Sequence, residues 1–251
     1  MLKGKIIINT RPEGADDSIS LALEELGAVV FTMPLIEIIP INLSPKISLD
    51  ILKNKIYQWL VFTSKNGIDN LFSQLKENLL TTPLPFKTAV FGERTAMSLK
   101  KWGFTPDLIN TGNTSEDLLN DLLPTLQPCD RVLLVVGDLA SGLLGDAIKQ
   151  TAQVDRVDVY RTVFVQSLDG EILHRIKENS YDMIIFTSPS GFRSIKYHTD
   201  RVISLNKLKT ACIGPTTEEA VLAEGLTPLV VARPSGKSGL ISGLEQYFAT
   251  R

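Results

Sequence analysis

Tyr160 is the side chain in this sequence whose type and neighbours best suit acid chemistry. It follows Val159 and precedes Arg161 and Thr162. A phenol beside a cation can donate a hydrogen bond to a leaving oxygen, which is one way in which a general acid assists a reaction. Ordinary packing of Tyr160 within a strand is the alternative interpretation, and the residue types alone leave both open.

Hydroxyl, amide and basic side chains gather in eight short segments, each of which follows an apolar run. The segments are residues 10–14, 63–67, 92–95, 111–115, 137–141, 187–191, 214–217 and 234–238. At the carboxyl edge of a parallel sheet, such turns present free N–H groups and the positive ends of helix dipoles, which favour carboxylates and phosphates. For any single turn, plain helix capping by Ser, Thr or Asn is the alternative. Asp138 places a negative charge in the turn at 137–141, which is therefore not expected to bind anions strongly.

Short runs rich in β-branched residues alternate with helical periodicity along the chain. Strands are predicted at 5–9, 28–32, 58–63, 87–91, 107–110, 131–136, 154–159, 182–187, 210–213 and 228–232. Helices are predicted at 15–26, 65–77, 93–102, 115–123, 140–151, 170–178, 190–197, 216–224 and 238–248. This alternation favours parallel sheets with right-handed crossovers and helices on both faces. The predicted fold class is therefore α/β.

The chain also contains an internal duplication, in which short motifs return in the same order and at similar spacing. The repeated pairs are 6–11 with 132–137, 62–67 with 186–191, and 91–96 with 213–218. Such a duplication predicts two similar lobes, each a parallel β-sheet flanked by helices, with a cleft between them. The matched stretches 34–40 and 159–165 are predicted to cross between the lobes as a two-stranded hinge. The first lobe then comprises residues 1–35 and 166–251, and the second comprises residues 36–165.

Composition and motifs argue against several classes of function. Lys and Arg total 26 against 28 Asp and Glu, so the basic excess of a nucleic-acid-binding protein is missing. No apolar run reaches the roughly 18 residues of a membrane helix, and no signal-peptide core opens the sequence, so a cytoplasmic protein is expected. Gly236-Lys237-Ser238 resembles the end of a phosphate-binding loop, but Val231 stands where the first glycine is required. No spacing of His, Cys, Asp or Glu indicates a metal site.

Taken together, the motifs resemble those of the uroporphyrinogen-III synthase family over nearly the whole chain. The matching segments are Thr10-Arg11-Pro12, 62–64, Gly92 to Ala96, 159–162, 186–190 and 213–217. The resemblance implies two α/β lobes joined by a two-stranded ladder. It also implies a lyase of tetrapyrrole (haem) biosynthesis that closes hydroxymethylbilane into uroporphyrinogen III, with loss of water and inversion of the terminal pyrrole ring. The family uses no metal or organic cofactor.

The same resemblance suggests roles for individual residues. Tyr160 matches a tyrosine that assists departure of the terminal hydroxyl. Thr95 and Thr217 match one threonine in each lobe, and three serines match hydroxyls that hold the substrate's carboxylate side chains. The substrate-binding set implied is Thr10, Arg11, Ser64, Lys65, Thr95, Arg161, Ser188, Ser190, Thr216 and Thr217. A monomer is expected, with transient contact with the preceding pathway enzyme as a further possibility.

Two interpretations from other functional classes remain open at this stage. A two-lobed cytoplasmic protein that binds or senses a small anion would use the same turns and hinge without catalysis. A domain that has lost its activity and survives as a protein partner is a weaker alternative. Tyr160 favours the enzyme, because neither alternative needs a phenol at the crossing between lobes.

Overall fold

The chain divides into two compact units, and each is described here by itself. The computed structural model describes residues 2–12, 17–52, 56–75, 84–112, 115–199 and 205–250. Unit 1 is formed by Met1–Glu37 and Val163–Arg251, and unit 2 by Ile38–Thr162. The two divisions fall within the stretches 34–40 and 159–165.

Strands and helices alternate along most of the chain, which confirms the predicted α/β class. In the described residues the strands are β1 Ile6–Asn9, β2 Val29–Thr32, β3 Ile36–Pro40, β4 Trp59–Phe62, β5 Lys87–Phe91, β6 Leu108–Asn110, β7 Arg131–Gly137, β8 Gln153–Phe164, β9 Met183–Phe186, β10 Thr210–Cys212 and β11 Val230–Val231. The helices are α1 Ser18–Glu25, α2 Pro45–Leu52, α3 Lys65–Phe72, α4 Glu93–Lys101, α5 Ser115–Leu122, α6 Leu143–Ile148, α7 Gly170–Lys177, α8 Pro189–Thr199, α9 Pro215–Leu222 and α10 Lys237–Ala249. Among these described helices, none is long and apolar enough to cross a membrane.

Unit 1 contains a five-stranded sheet that is buried on both faces. The strand order is β11-β10-β9-β1-β2, and all neighbours are parallel. Ile7 packs on one face with residues of α1 and α10, whereas Ile8 packs on the other face with residues of α7, α8 and α9. Because both faces are covered, the central strands are nearly continuous apolar runs rather than alternating ones.

Unit 2 is built in the same way around the larger sheet, whose order is β3-β8-β7-β4-β5-β6. Leu60 and Phe62 of β4 face a cluster that includes residues of α3 and α4. Trp59 and Val61 face the opposite cluster, which includes residues of α5 and α6. The carboxyl ends of β4, β5, β6 and β7 lie at one edge, since these strands pair in parallel.

The strand orders of the two units match, as the duplication requires. The order β2-β1-β9-β10-β11 in unit 1 corresponds to β8-β7-β4-β5-β6 in unit 2, with β3 added at the edge. Strands β1 and β2 come from the first repeat, and β9, β10 and β11 come from the second. Each sheet therefore combines strands from both copies of the repeat.

Strands β3 and β8 are neighbours and run in opposite directions. The N–H group of Ile41 donates to the carbonyl of Val159 at 2.9 Å, and that of Val165 donates to the carbonyl of Leu35 at 3.2 Å. The residue number rises along one strand as it falls along the other, which is the antiparallel arrangement. The divisions between the units fall within these two strands. The stretches that the sequence predicts to cross between the lobes are thus found paired as a two-stranded ladder.

The structure corrects one helix and adds another. Helix α6 is shorter than the predicted 140–151, because Ala140 donates to the carbonyl of Gly137 in a tight turn and the helix starts only after Gly142. Helix α2 was missed, although Ser44 accepts a hydrogen bond from Ile47 just before a proline start, which is a recognisable N-terminal signal. The predicted helical residues 15–16 and 76–77 lie outside the described residues, as do turn residues 13–14 and 113–114.

Candidate active site

The side chain of Tyr160 reaches across a neighbouring strand to a serine in the next turn. Tyr160 lies on β8, β8 pairs with β7, and β7 pairs with β4, after which Ser64 follows. The Tyr160 hydroxyl is 3.1 Å from the Ser64 Oγ atom. Since adjacent strands lie about 4.8 Å apart, the phenol and the serine together span two strand spacings. The structure thus brings the predicted catalytic residue next to one of the predicted binding hydroxyls.

A β-bulge determines the face on which Tyr160 lies. Val136 pairs with Asp158 and Gly137 with Tyr160, so Val159 is an extra residue on β8. In a regular strand, successive side chains point to opposite faces. Here Val159 and Tyr160 both pack against the same hydrophobic cluster, the one that contains residues of α3 and α4. The bulge therefore turns Tyr160 to the face of the sheet where Ser64 lies.

Gly137 is required for the close approach of the phenol ring. A β-carbon built on Gly137 would overlap the Cε2 and Cζ atoms of Tyr160 and would lie only 2.8 Å from its hydroxyl oxygen. Real β-carbons essentially never make such contacts. Any other residue at position 137 would push the ring away from the position that it occupies over β7.

The surroundings of Tyr160 favour the neutral form of its phenol. Burial raises the pKa of Tyr160 above the ordinary value of 10.0, and the carboxylates of Asp138 and Asp158 act in the same direction. The hydrogen bond with Ser64 lowers the pKa, but the net direction remains upward. At neutral pH the group is therefore a hydrogen-bond and proton donor rather than a base.

We expect Tyr160 to ionise at a higher pH than an ordinary tyrosine does. The unfolded chain releases this proton near pH 10.0, whereas the folded protein still holds it. The stabilisation associated with the neutral phenol is therefore complete below that pH and is lost as the pH rises through the folded-state pKa. The difference in tyrosinate absorbance between wild type and Tyr160→Phe measures this ionisation. A Tyr160 phenol that titrates at or below the ordinary value would contradict the described burial.

Thr95 and Thr217 occupy equivalent positions in the two units. Each lies three residues after the glycine that begins its helix, and its N–H group donates to that glycine's carbonyl, at 3.1 Å for Thr95 and 3.2 Å for Thr217. The residues are only 4% and 2% exposed. Within the part of the chain that the structure describes, neither hydroxyl has a hydrogen-bond partner. A largely buried hydroxyl without a protein partner is well suited to bind an oxygen atom of a ligand.

The serines of unit 1 repeat the local geometry of Ser64. The Ser64 Oγ atom accepts from the N–H group of Gly67 at 3.1 Å, and that of Ser188 accepts from Gly191 at 3.2 Å. Ser190 lies 3.1 Å from Ser188, oxygen to oxygen. The two serine hydroxyls of unit 1 are thus adjacent and half-buried at the start of α8.

The remaining predicted binding residues differ in how exposed they are. Thr10 is 2% exposed, and its hydroxyl donates to the carbonyl of Ile185 in β9 at 2.7 Å. The proton of this hydroxyl is therefore already used in a hydrogen bond within the protein. Arg11 is half-buried. The exposed members of the set are Lys65 at the start of α3, Arg161 on β8 and Thr216 in the first turn of α9.

Two residues that shape this site were missed in the sequence. The sequence places Gly137 in a turn, and the predicted site does not include Arg156. A signal for Arg156 exists in the sequence, because residues 155–158 include three charged side chains in a strand that pairs with the largely apolar strand β7. Across the described ranges, His, Cys, Asp and Glu form no group of three that could hold a metal ion.

Comparison with known proteins gives a consistent result. Residues 17–242 match the family model described as uroporphyrinogen-III synthase HemD. The chain is 28% identical over 250 residues to the porphyrin biosynthesis protein HemD of Ruminiclostridium josui, covering 97% of this chain and 48% of that protein. The chain thus spans about half the length of that relative. It is 25% identical over 259 residues to the uroporphyrinogen-III synthase of Synechococcus elongatus, covering 98% of this chain and 96% of that protein.

A solved structure has a similar fold. The crystal structure of uroporphyrinogen-III synthetase from Helicobacter pylori aligns with a TM-score of 0.65 at 18% identity. The alignment covers 98% of this chain and 100% of the other. At this level of identity the likeness supports the fold, with two similar lobes that each contain a largely parallel sheet.

Proposed function

We propose, because the chain belongs to the uroporphyrinogen-III synthase HemD family, that it closes hydroxymethylbilane into uroporphyrinogen III with loss of water and inversion of the terminal pyrrole ring. The family membership confirms the resemblance drawn from the sequence. The observation that carries the proposal furthest is the placement of Tyr160, a protonated phenol held over Gly137 and against Ser64. Neither a binding protein nor an inactive domain would need such a donor.

The first step of the proposed reaction is departure of the terminal hydroxyl. Tyr160 donates a proton to this oxygen as the carbon–oxygen bond breaks, so that water leaves and an electrophilic methylene carbon remains. Because the phenol is kept neutral, the proton is available throughout the neutral pH range. The proton lost from the terminal ring after ring closure balances the one that Tyr160 gave up. Tyr160 therefore acts as a general acid.

The second requirement is control over which carbon of the terminal ring attacks. Without an enzyme, hydroxymethylbilane closes without inversion, so the protein must favour attack by the substituted carbon, through a spiro intermediate. Holding a flexible substrate in one geometry supplies several kcal/mol without further acid or base groups. We assign this role to the hydroxyls of Thr95, Ser188, Ser190 and Thr217 as hydrogen-bond donors to the substrate's carboxylates. We assign the single proton of the Ser64 hydroxyl to its hydrogen bond with Tyr160, which leaves the phenol's own proton free for the leaving oxygen. The basic residues of the set, exposed Lys65 and Arg161 and half-buried Arg11, add positive charge.

Thr217→Ala should weaken substrate binding while leaving the chemical step largely intact. Loss of one hydrogen bond to the substrate costs about 0.5–1.5 kcal/mol, which corresponds to an increase in KM of about two- to tenfold. Steady-state kinetics with hydroxymethylbilane measure this change. Thr217→Ser keeps the hydroxyl and is the matched control, for which a KM near the wild-type value is expected. Unchanged kinetics in the alanine variant would leave Thr217 with a structural role only.

The number of turnovers separates the proposed enzyme from a small-anion binding protein. With a large molar excess of hydroxymethylbilane over protein, an enzyme consumes the whole supply faster than the spontaneous reaction does. A binding protein instead retains about one molar equivalent and leaves the remainder to react at the spontaneous rate. The second outcome would replace the proposed function by the alternative.

Finer features of the function rest on the family and remain predictions. They are classification as a hydro-lyase, independence of metal and organic cofactors, a monomeric state, cytoplasmic location, and transient contact with the preceding pathway enzyme. The roles given above to individual residues are proposals of the same standing. Those of the serines and threonines are supported by their positions in the turns at the carboxyl ends of the strands, and that of Tyr160 by its position on β8 against Ser64.

A further inference from the structure

The guanidinium group of Arg156 holds the turn that follows β7. It donates to the carbonyl of Ala140 at 2.9 Å, to that of Gly137 at 3.3 Å and to that of Asp138 at 3.5 Å. Its Nε atom donates to the carboxylate of Asp158 at 2.8 Å. Four acceptors thus surround a group that has five N–H donors. Little capacity remains for a carboxylate of a substrate.

Asp138 attaches the same turn to β8 from the other side. Its carboxylate accepts from the N–H group of Thr162 at 3.0 Å, and its own N–H group donates to the carbonyl of Tyr160 at 3.1 Å. Arg156 and Asp158 precede Tyr160 on β8, whereas Thr162 follows it. The turn is therefore bonded to β8 on both sides of Tyr160.

The bulge explains why such bonds are needed here. It interrupts the regular pairing of β7 and β8 between Val136 and Gly137, the point over which the phenol ring lies. At a bulge the ladder is locally disrupted, so backbone hydrogen bonds alone hold the two strands less firmly. The guanidinium group of an arginine presents five donors in a rigid planar fork, whereas a lysine presents three donors at the end of a flexible chain.

We propose that Arg156 is a positioning residue for Tyr160, in that it fixes the Gly137–Ala140 turn and so the place of the phenol against Ser64. This inference rests on the proposed function for its kinetic consequence, but its geometric content is independent of any activity. If the turn shifts, Gly137, which lies beneath the Tyr160 ring, shifts with it. The Tyr160 hydroxyl then no longer points at the leaving oxygen. A misplacement of about 1 Å can cost about a hundredfold in rate.

A double-mutant cycle distinguishes this role from a merely structural one. We expect Arg156→Met to lower kcat about tenfold when Tyr160 is present, with KM changed less than about twofold. In the Tyr160→Phe background the same substitution should change kcat less than about twofold, because there is no phenol left to position. Arg156→Lys should fall between methionine and wild type. An equal loss of kcat in both backgrounds, or no loss in either, would overturn the proposal.

Arg131→Met is the matched control. Arg131 lies on β7 and donates to Asp155 of β8 at 2.8 Å, so it joins the same two strands away from the turn that follows Gly137. We expect its kcat to equal that of wild type in both backgrounds. A loss that matched that of Arg156→Met would mean that any weakening of the β7–β8 pair lowers activity, and would overturn the specific role of Arg156.

A spectroscopic measurement keeps the inference separate from the proposed reaction. In protein labelled with ¹³C at the tyrosine Cζ atom, Tyr160→Phe identifies the resonance of Tyr160. Arg156→Met should shift this resonance, whereas Arg131→Met should not. If wild type formed no uroporphyrinogen III, the proposed function would fail while this test still applied. An unshifted resonance in Arg156→Met would overturn the positioning role even in an active enzyme.

Discussion

Tyr160→Phe is expected to lower kcat for the formation of uroporphyrinogen III by about a hundredfold, the lower end of the range for loss of a general acid. The phenylalanine ring fills the same space over Gly137, so the substrate site should keep its shape and KM should change little. Residual turnover is expected, because the hydroxyls that orient the substrate remain in place. The substitution should therefore slow the chemical step alone.

Single-turnover kinetics with hydroxymethylbilane measure that step directly. Tyr57→Phe is the matched control, since the Tyr57 hydroxyl donates to Asp155 at 3.0 Å in the same unit and, like Tyr160, has a raised pKa, here about 12. Its loss removes a hydrogen bond worth about 1 kcal/mol of stability but leaves the proposed acid intact. Wild-type turnover in Tyr160→Phe would remove Tyr160 from the mechanism.

Gly137→Ala is expected to lower kcat at least as much as Tyr160→Phe does. The added methyl group would occupy the space of the phenol ring, so Tyr160 must leave its position against Ser64. Steric overpacking of this kind also costs about 1–3 kcal/mol in the free energy of unfolding. The variant should fold, with a lower Tm and with an activity loss far larger than the loss of stability accounts for.

Gly142→Ala provides a control from the region just beyond the same turn. A β-carbon there would meet only the Asp146 carboxylate, at an ordinary contact distance of 3.5 Å, and the backbone φ of −75° suits any residue. We expect wild-type kcat for this variant. If Gly137→Ala retained full activity, or if both variants lost activity equally, the position of the phenol over Gly137 would not matter for the reaction.

The strands and the matched order of the two sheets were predictable because both depend on local patterns. Strands buried on both faces are apolar runs, and the sequence shows them as such at 131–136 and 182–187. The duplication then fixed which strands correspond. Phe62-Thr63-Ser64 and Phe186-Thr187-Ser188 lie at the ends of β4 and β9, which hold the same place in their sheets.

The arrangement around Tyr160 was not predictable in the same way. The bulge depends on how β7 and β8 are registered, and a shift of one residue sends a side chain to the opposite face. Alternation along 154–160 would have placed Tyr160 opposite Val159, whereas the structure places both on one face. The contacts of Arg156 with backbone carbonyls also produce no motif in the sequence, because every residue type has a backbone carbonyl.

The isomer formed from freshly prepared hydroxymethylbilane shows directly whether the protein closes its substrate with inversion of the terminal ring. After oxidation of the products to porphyrins and chromatographic separation, the ratio of isomer III to isomer I is measured with wild type, with Tyr160→Phe and without protein. We expect isomer III in large excess with wild type, at a rate well above the spontaneous one, and a slower appearance of the same isomer with Tyr160→Phe. Isomer I formed at the spontaneous rate in the presence of wild type would contradict the proposed function.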